Sequence, residues 1–118
     1  HTVDLNPAYL GGSIQYMLGD IELTGRGSKR ERKKAIEWFK LSAAQNFYEG
    51  CFKLGECYEK GLVDGDENRL SSASNWYYKA LSNSSRVDER INAYKAYTRI
   101  LKRIKEKKGF SGSFKPIR

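Results

Sequence analysis

His1 is the one histidine in a chain of 118 residues, and Cys51 and Cys57 are its two cysteines. Imidazole base catalysis and His-ligated metal sites lose their usual carrier, because the single imidazole stands at the very terminus. A structural zinc site needs about four Cys or His ligands, more than the chain contains. On one straight helix the spacing of Cys51 and Cys57 separates them by about 9 Å along the axis. A disulfide tolerates Cα atoms up to about 7 Å apart, so two reduced core thiols are expected. No Ser/His/Asp or Cys/His set, nucleophile elbow, or phosphate-binding glycine loop followed by Lys-Ser/Thr occurs. Gly25-Arg26-Gly27 is too short to serve as such a loop. Neither catalysis, a cofactor, a metal nor a small-molecule substrate is expected.

The remaining chemistry is charge. The formal net charge is +8, and residues 1–85 contribute none of it, with 11 Lys+Arg against 11 Asp+Glu. Residues 86–118 carry the other 11 Lys+Arg against Asp88, Glu89 and Glu106. A second basic cluster, Lys29, Arg30, Arg32, Lys33 and Lys34, is interrupted only by Glu31. Such faces attract phosphate, acidic protein or anionic lipid; the plain alternative is a solvated surface.

These side chains must be positioned by something. The length favours one domain, able to bury roughly two-thirds of its unfolded surface. No apolar run approaches the roughly 18 residues of a membrane span. The first residues lack a basic segment followed by an apolar stretch, so no secretory leader is expected there. An offset of 36 residues lays Tyr16-Met17-Leu18-Gly19 on Phe52-Lys53-Leu54-Gly55, and Gly25 on Gly61. An offset of 38 lays Ala35-Ile36-Glu37-Trp38-Phe39-Lys40 on Ala73-Ser74-Asn75-Trp76-Tyr77-Tyr78. The order recurs twice, which predicts two units of two helices each. The expected helices cover 13–24, 29–45, 48–60, 68–82 and 87–108. Asn6-Pro7 reads as a helix start. Gly25 and Gly61 read as left-handed stops, Ser28 with Glu31 as a capping box, and Asn46 as a closing residue. Gly19 and Gly55 fall mid-helix, where glycine costs about 1 kcal/mol against alanine. The cost is explained if the missing side chain admits a ring from the neighbouring helix, Trp38-Phe39 in one unit and Trp76-Tyr77 in the other.

The pattern resembles the Sel-one-like repeat family, helical-hairpin relatives of the tetratricopeptide repeat. The matching residues are Leu18-Gly19, Gly25, Gly27, Ala35, Trp38-Phe39 and Ala43-Ala44, then Leu54-Gly55, Tyr58, Gly61, Ala73, Trp76-Tyr77 and Ala80. Glu22 stands where the second unit has Tyr58, and Ile14 and Gly50 where the family usually has Ala. The resemblance implies an all-α solenoid of two helix-hairpin repeats, and adaptor-type binding rather than catalysis. The division expected is a lead-in over 1–12, repeats over 13–46 and 47–85, a basic amphipathic capping helix over 86–108, and a tail over 109–118.

In the last helix Val87, Ile91, Tyr94, Tyr97, Leu101 and Ile104 read as one apolar stripe, with Lys95, Arg99, Lys102 and Arg103 opposite. Phe110, Phe114 and Ile117 give the tail something to pack with. Asn83-Ser84-Ser85 fits the N-glycosylation rule, which matters only in a secretory compartment. The leading expectation is a scaffold that binds another protein, with an acidic surface or peptide, through a concave face of first helices. Its candidate contacts are Gln15, Glu22, Lys53, Glu56 and Tyr58, continuing onto Lys95, Arg99, Lys102 and Arg103. The alternative is an RNA-binding subunit, which predicts one continuous stripe from the Lys29–Lys34 cluster to the last helix, with exposed rings for stacking.

Overall fold

A computed structural model describes residues 7–25 and 28–109. After a single 3₁₀ turn, Pro7–Tyr9, the chain forms α1 (Gly12–Leu23), α2 (Lys29–Ala44), α3 (Tyr48–Glu59), α4 (Arg69–Ser82) and α5 (Val87–Ile104). The last helix widens into a π turn over Lys105–Gly109. There is no strand among the described residues. No helix there is long and apolar enough to cross a membrane. Asn6, Gly27 and the tail residues Phe110, Phe114 and Ile117, to which roles were assigned above, lie outside the described residues.

The chain is an all-α solenoid. Helix α1 packs on α2 and α3 on α4, and α2–α3 and α4–α5 contacts join successive units. Helices α1, α3 and α5 also meet side by side, so the first helices line one face. The caps act locally. The Ser28 hydroxyl accepts the Glu31 N–H at 3.1 Å, and the Glu31 carboxylate accepts the Ser28 N–H at 3.3 Å. Ser28→Ala is expected to remove about 1 kcal/mol, read as a lowered melting temperature. Asn46 closes α2 with φ 61, and Gly61 ends α3 with φ 73. Gly25 does not adopt the left-handed conformation expected of it. Helix α1 ends instead on Thr24, whose hydroxyl donates to the Asp20 carbonyl at 2.9 Å.

Packing follows the glycines, with one correction. The ring over each glycine is the residue after the tryptophan. A Cβ at Gly19 would lie 2.6 Å from Phe39 Cε1, and one at Gly55 2.8 Å from Tyr77 Cδ1. Phe39 and Tyr77 are fully buried, whereas Trp38 and Trp76 are half-buried at the surface. Each buried large side chain contributes about 2–3 kcal/mol through apolar surface removed from water. The two units touch through a third glycine, Gly50, which lies against Ser42 and the Ala43 backbone of α2. The Tyr48 hydroxyl, donating to the Glu89 carbonyl at 3.0 Å, ties α3 to the start of α5.

The last helix departs from the single stripe. Ala93, Ala96 and Ile100 are its buried face, with Tyr97 and Ile104 beside them; Val87, Ile91, Tyr94 and Leu101 are exposed. At 100° per residue the centres of the two sets lie about 120° apart around the helix. Helix α5 therefore carries two apolar faces, of which one is covered.

Candidate functional site

On the face lined by the first helices, Tyr16 and Asp20 of α1 meet Glu49, Lys53 and Glu56 of α3. Lys53 and Glu56 form an ion pair at 3.3 Å. Desolvation works against the Lys53 charge, but Glu56 outweighs it and holds the ammonium above its ordinary pKa. Burial raises the Tyr16 hydroxyl, and the Asp20 carboxylate adds to the effect. Three carboxylates against one ammonium make this stretch net acidic.

Several expected contacts lie elsewhere. Gln15 is fully buried, donating to the Pro7 carbonyl at 2.7 Å and accepting from Gln45 at 2.7 Å. It braces the start of α1 and cannot touch a partner. Glu22 is half-buried beside Ser28, Arg30, Glu31 and Lys34 at the start of α2. Tyr58 is half-buried against both parts of the core. Tyr16, Asp20 and Glu49 were the residues missed on this face. The 36-residue offset carries the signal, since it places Tyr16 on Phe52 and Asp20 on Glu56.

The arginines of α5 are also engaged within the chain. Arg99 donates twice to the Glu59 carboxylate, at 2.8 and 3.1 Å, and Arg103 once, at 3.0 Å. The Tyr77 hydroxyl donates to the same carboxylate at 2.6 Å, and the Arg69 guanidinium to the Glu59 backbone carbonyl. The Arg99 hydrogen bond, against the opposing effect of burial and with help from Tyr77 and Arg103, holds the Glu59 carboxyl down at about 2. Burial and the Glu59 hydrogen bond drive the Tyr77 hydroxyl well above its usual range. This knot joins α3, α4 and α5. No local pattern around Glu59 points to it, because the partners of its carboxylate stand 18 to 44 residues away.

Of the basic residues singled out on α5, Lys95, Arg99 and Lys102 are exposed, Arg99 with its guanidinium on Glu59. On α2, Lys29, Arg30, Lys33 and Lys34 are exposed, and Arg32 is half-buried. The two basic segments belong to different units with α3 and α4 between them. Beside α2 lies a cleft of about 410 Å³. Its floor is Ile36, Leu62 and Val63; its rim carries Lys33, Lys34 and Lys40 with Glu37 and Asp64. Glu37 sits 3.8 Å from Lys40, and Asp64 4.0 Å from Lys29. Lys33 and Lys34 have no acidic partner among the described residues.

Among the described residues no group of three or more His, Cys, Asp and Glu is close enough to hold a metal ion. Cys51 and Cys57 are free and buried, and desolvation pushes both thiols up to about 11, so neither is a thiolate nucleophile at neutral pH. Residues 14–47 and again 49–85 match one family profile, the Sel1 repeat. Neither curated proteins nor solved structures return a match.

Proposed function

This chain belongs to the Sel1 repeat family, and from that premise we propose that it is a non-catalytic scaffold whose α2 face holds an acidic segment of another protein. Sel1 repeats are generally protein-interaction modules. The observation that carries the specific reading is the α2 cleft, where an apolar floor lies beneath two lysines that have no acidic partner among the described residues. Such a site suits a peptide with one apolar side chain flanked by carboxylates. The side chain enters the cleft, and the carboxylates meet Lys33 and Lys34. The face lined by α1 and α3 is net acidic and suits the opposite charge, so the acidic segment belongs on α2.

RNA fits this cleft less well. Among the described residues no aromatic ring lines it for base stacking. A titration with three labelled synthetic peptides tests the reading. Each holds one central leucine, flanked by glutamates, serines or lysines. The glutamate peptide is expected to bind, and the chain carrying Lys33→Glu with Lys34→Glu to bind it at least about tenfold more weakly. Equal binding of all three peptides, or an unaffected double variant, refutes the site. Tighter binding of a single-stranded RNA than of the glutamate peptide, with steep salt dependence, would favour the RNA reading instead.

A further inference from the structure

Both end faces of the described solenoid are apolar, although a solenoid end in water ordinarily carries a polar outer face. On α1, Ile14, Met17 and Ile21 are 44, 53 and 62% exposed and share one side of the helix. The repeat explains which side this is. Ile14 corresponds, at the 36-residue offset, to Gly50, which α3 turns toward α2. The α1 stripe is thus the side on which an earlier helix would pack. On α5, Val87, Ile91, Tyr94 and Leu101 are 65, 48, 58 and 41% exposed, about 120° around the helix from the face that α4 covers. With Leu81 of α4, Val87, Ile91 and Tyr94 border a groove of about 510 Å³.

The two stripes differ in charge. Helix α1 carries Asp20 and Glu22 and no basic residue. The α5 stripe is flanked by Arg90 on one side and Lys95 and Lys102 on the other, one helical turn or less from its centre line. The acids of α5 lie at its start, where Asp88 is paired with Arg86 and Glu89 caps the turn before the helix. We propose that the two faces are halves of one interface, with α1 of one copy of the chain seated on α5 of the next. Apolar side chains meet along the centre, and Asp20 and Glu22 face Arg90, Lys95 and Lys102 at the edges. Pairing α5 with α5, or α1 with α1, would set like charges against each other, so the head-to-tail arrangement is the favoured one. Such a contact is heterologous, so each copy keeps one free end of each kind and assembly continues unless it closes into a ring. The α2 cleft lies on neither stripe, so the two proposals fail independently.

Sedimentation velocity of the 118-residue chain over a wide concentration range tests the proposal. The expected result is growth in size with concentration, reduced by salt. A chain with Met17→Lys and Ile21→Lys, and a chain with Ile91→Glu and Tyr94→Glu, should each remain monomeric alone. Mixed, they should give a one-to-one dimer and nothing larger, because each still offers one intact end. Circular dichroism melting shows whether these surface variants remain folded. A second pair guards against misfolding: Asp20→Lys with Glu22→Lys in one chain, Arg90→Glu with Lys95→Glu in the other. Each should lose assembly alone and recover it in the mixture. A parent chain that stays monomeric at every concentration overturns the proposal, whatever else covers the stripes. A variant pair that keeps self-associating separately, with nothing gained on mixing, overturns it in favour of like-with-like pairing.

Discussion

Replacing Glu59 by glutamine is expected to lower the stability of the chain by about 2 kcal/mol near pH 7, or roughly 6–10 °C in melting temperature for a chain of this size. The Glu59 side chain is 12% exposed and accepts hydrogen bonds from Tyr77, Arg99 and Arg103. Glutamine keeps the shape, removes the charge, and offers an amide N–H₂ where donors converge. The carboxyl sits at about 2 in place of its ordinary 4.5. At about 1.4 kcal/mol per pKa unit this sets an upper limit near 3 kcal/mol. Arg99 and Arg103 are 51 and 42% exposed, so water screens part of the attraction and the smaller figure is expected. The sign with pH is fixed by the direction of the shift. A carboxyl depressed by folding stabilises fully above its unfolded value of about 4.5, and the contribution is lost as pH falls toward about 2. Denaturant midpoints of parent and variant should therefore be well separated near pH 7 and converge near pH 2. Equal midpoints near pH 7 would show that the knot contributes nothing to holding α5 on α3 and α4.

Gly50→Ala is expected to cost about 3 kcal/mol, although alanine at an exposed mid-helix site would gain about 1 kcal/mol over glycine. The added Cβ would overlap the Ser42 hydroxyl, lie 2.6 Å from Ser42 Cβ and 3.0 Å from the Ala43 backbone nitrogen. Ser42 is not free to rotate away, because its hydroxyl donates to the Gly12 carbonyl at 2.8 Å. Ala43 N belongs to the backbone of α2, so relief requires the two helices to separate. Gly55→Ala should be milder, since the three atoms nearest the added one are ring carbons of Tyr77, the closest at 2.8 Å, and no backbone atom is among them. That ring is still held at its far end by Glu59, so the Gly55 and Glu59 substitutions should not be additive. Thermal denaturation of the three variants gives the comparison. A Gly50→Ala chain as stable as its parent would mean that α2 and α3 approach less closely than described.

Several elements were legible in the residues themselves. Ser28 with Glu31, Asn46 and Gly61 mark helix ends through local backbone chemistry, and they act where they were placed. Gly19 and Gly55 announced close approach by standing where glycine is unfavourable. Which ring fills each gap was not legible, because Trp38 and Phe39 are neighbours only 100° apart on a helix and only the packed phase selects one. An uncertainty of one or two positions put Gln15 and Glu22 on a face that Tyr16 and Asp20 occupy.

The periodicity of this chain, its capping residues and its duplicated glycine-and-aromatic order were sufficient to determine paired helices stacked into a solenoid, because each rests on interactions within a few residues or on a repeat that maps onto itself. Tertiary structure alone decided that Arg99 and Arg103 serve Glu59, that Gln15 is sealed inside, and that α5 has a second, uncovered apolar side. Those outcomes depend on which distant groups share a low-dielectric space, and separations of about 40 residues leave no trace in local pattern.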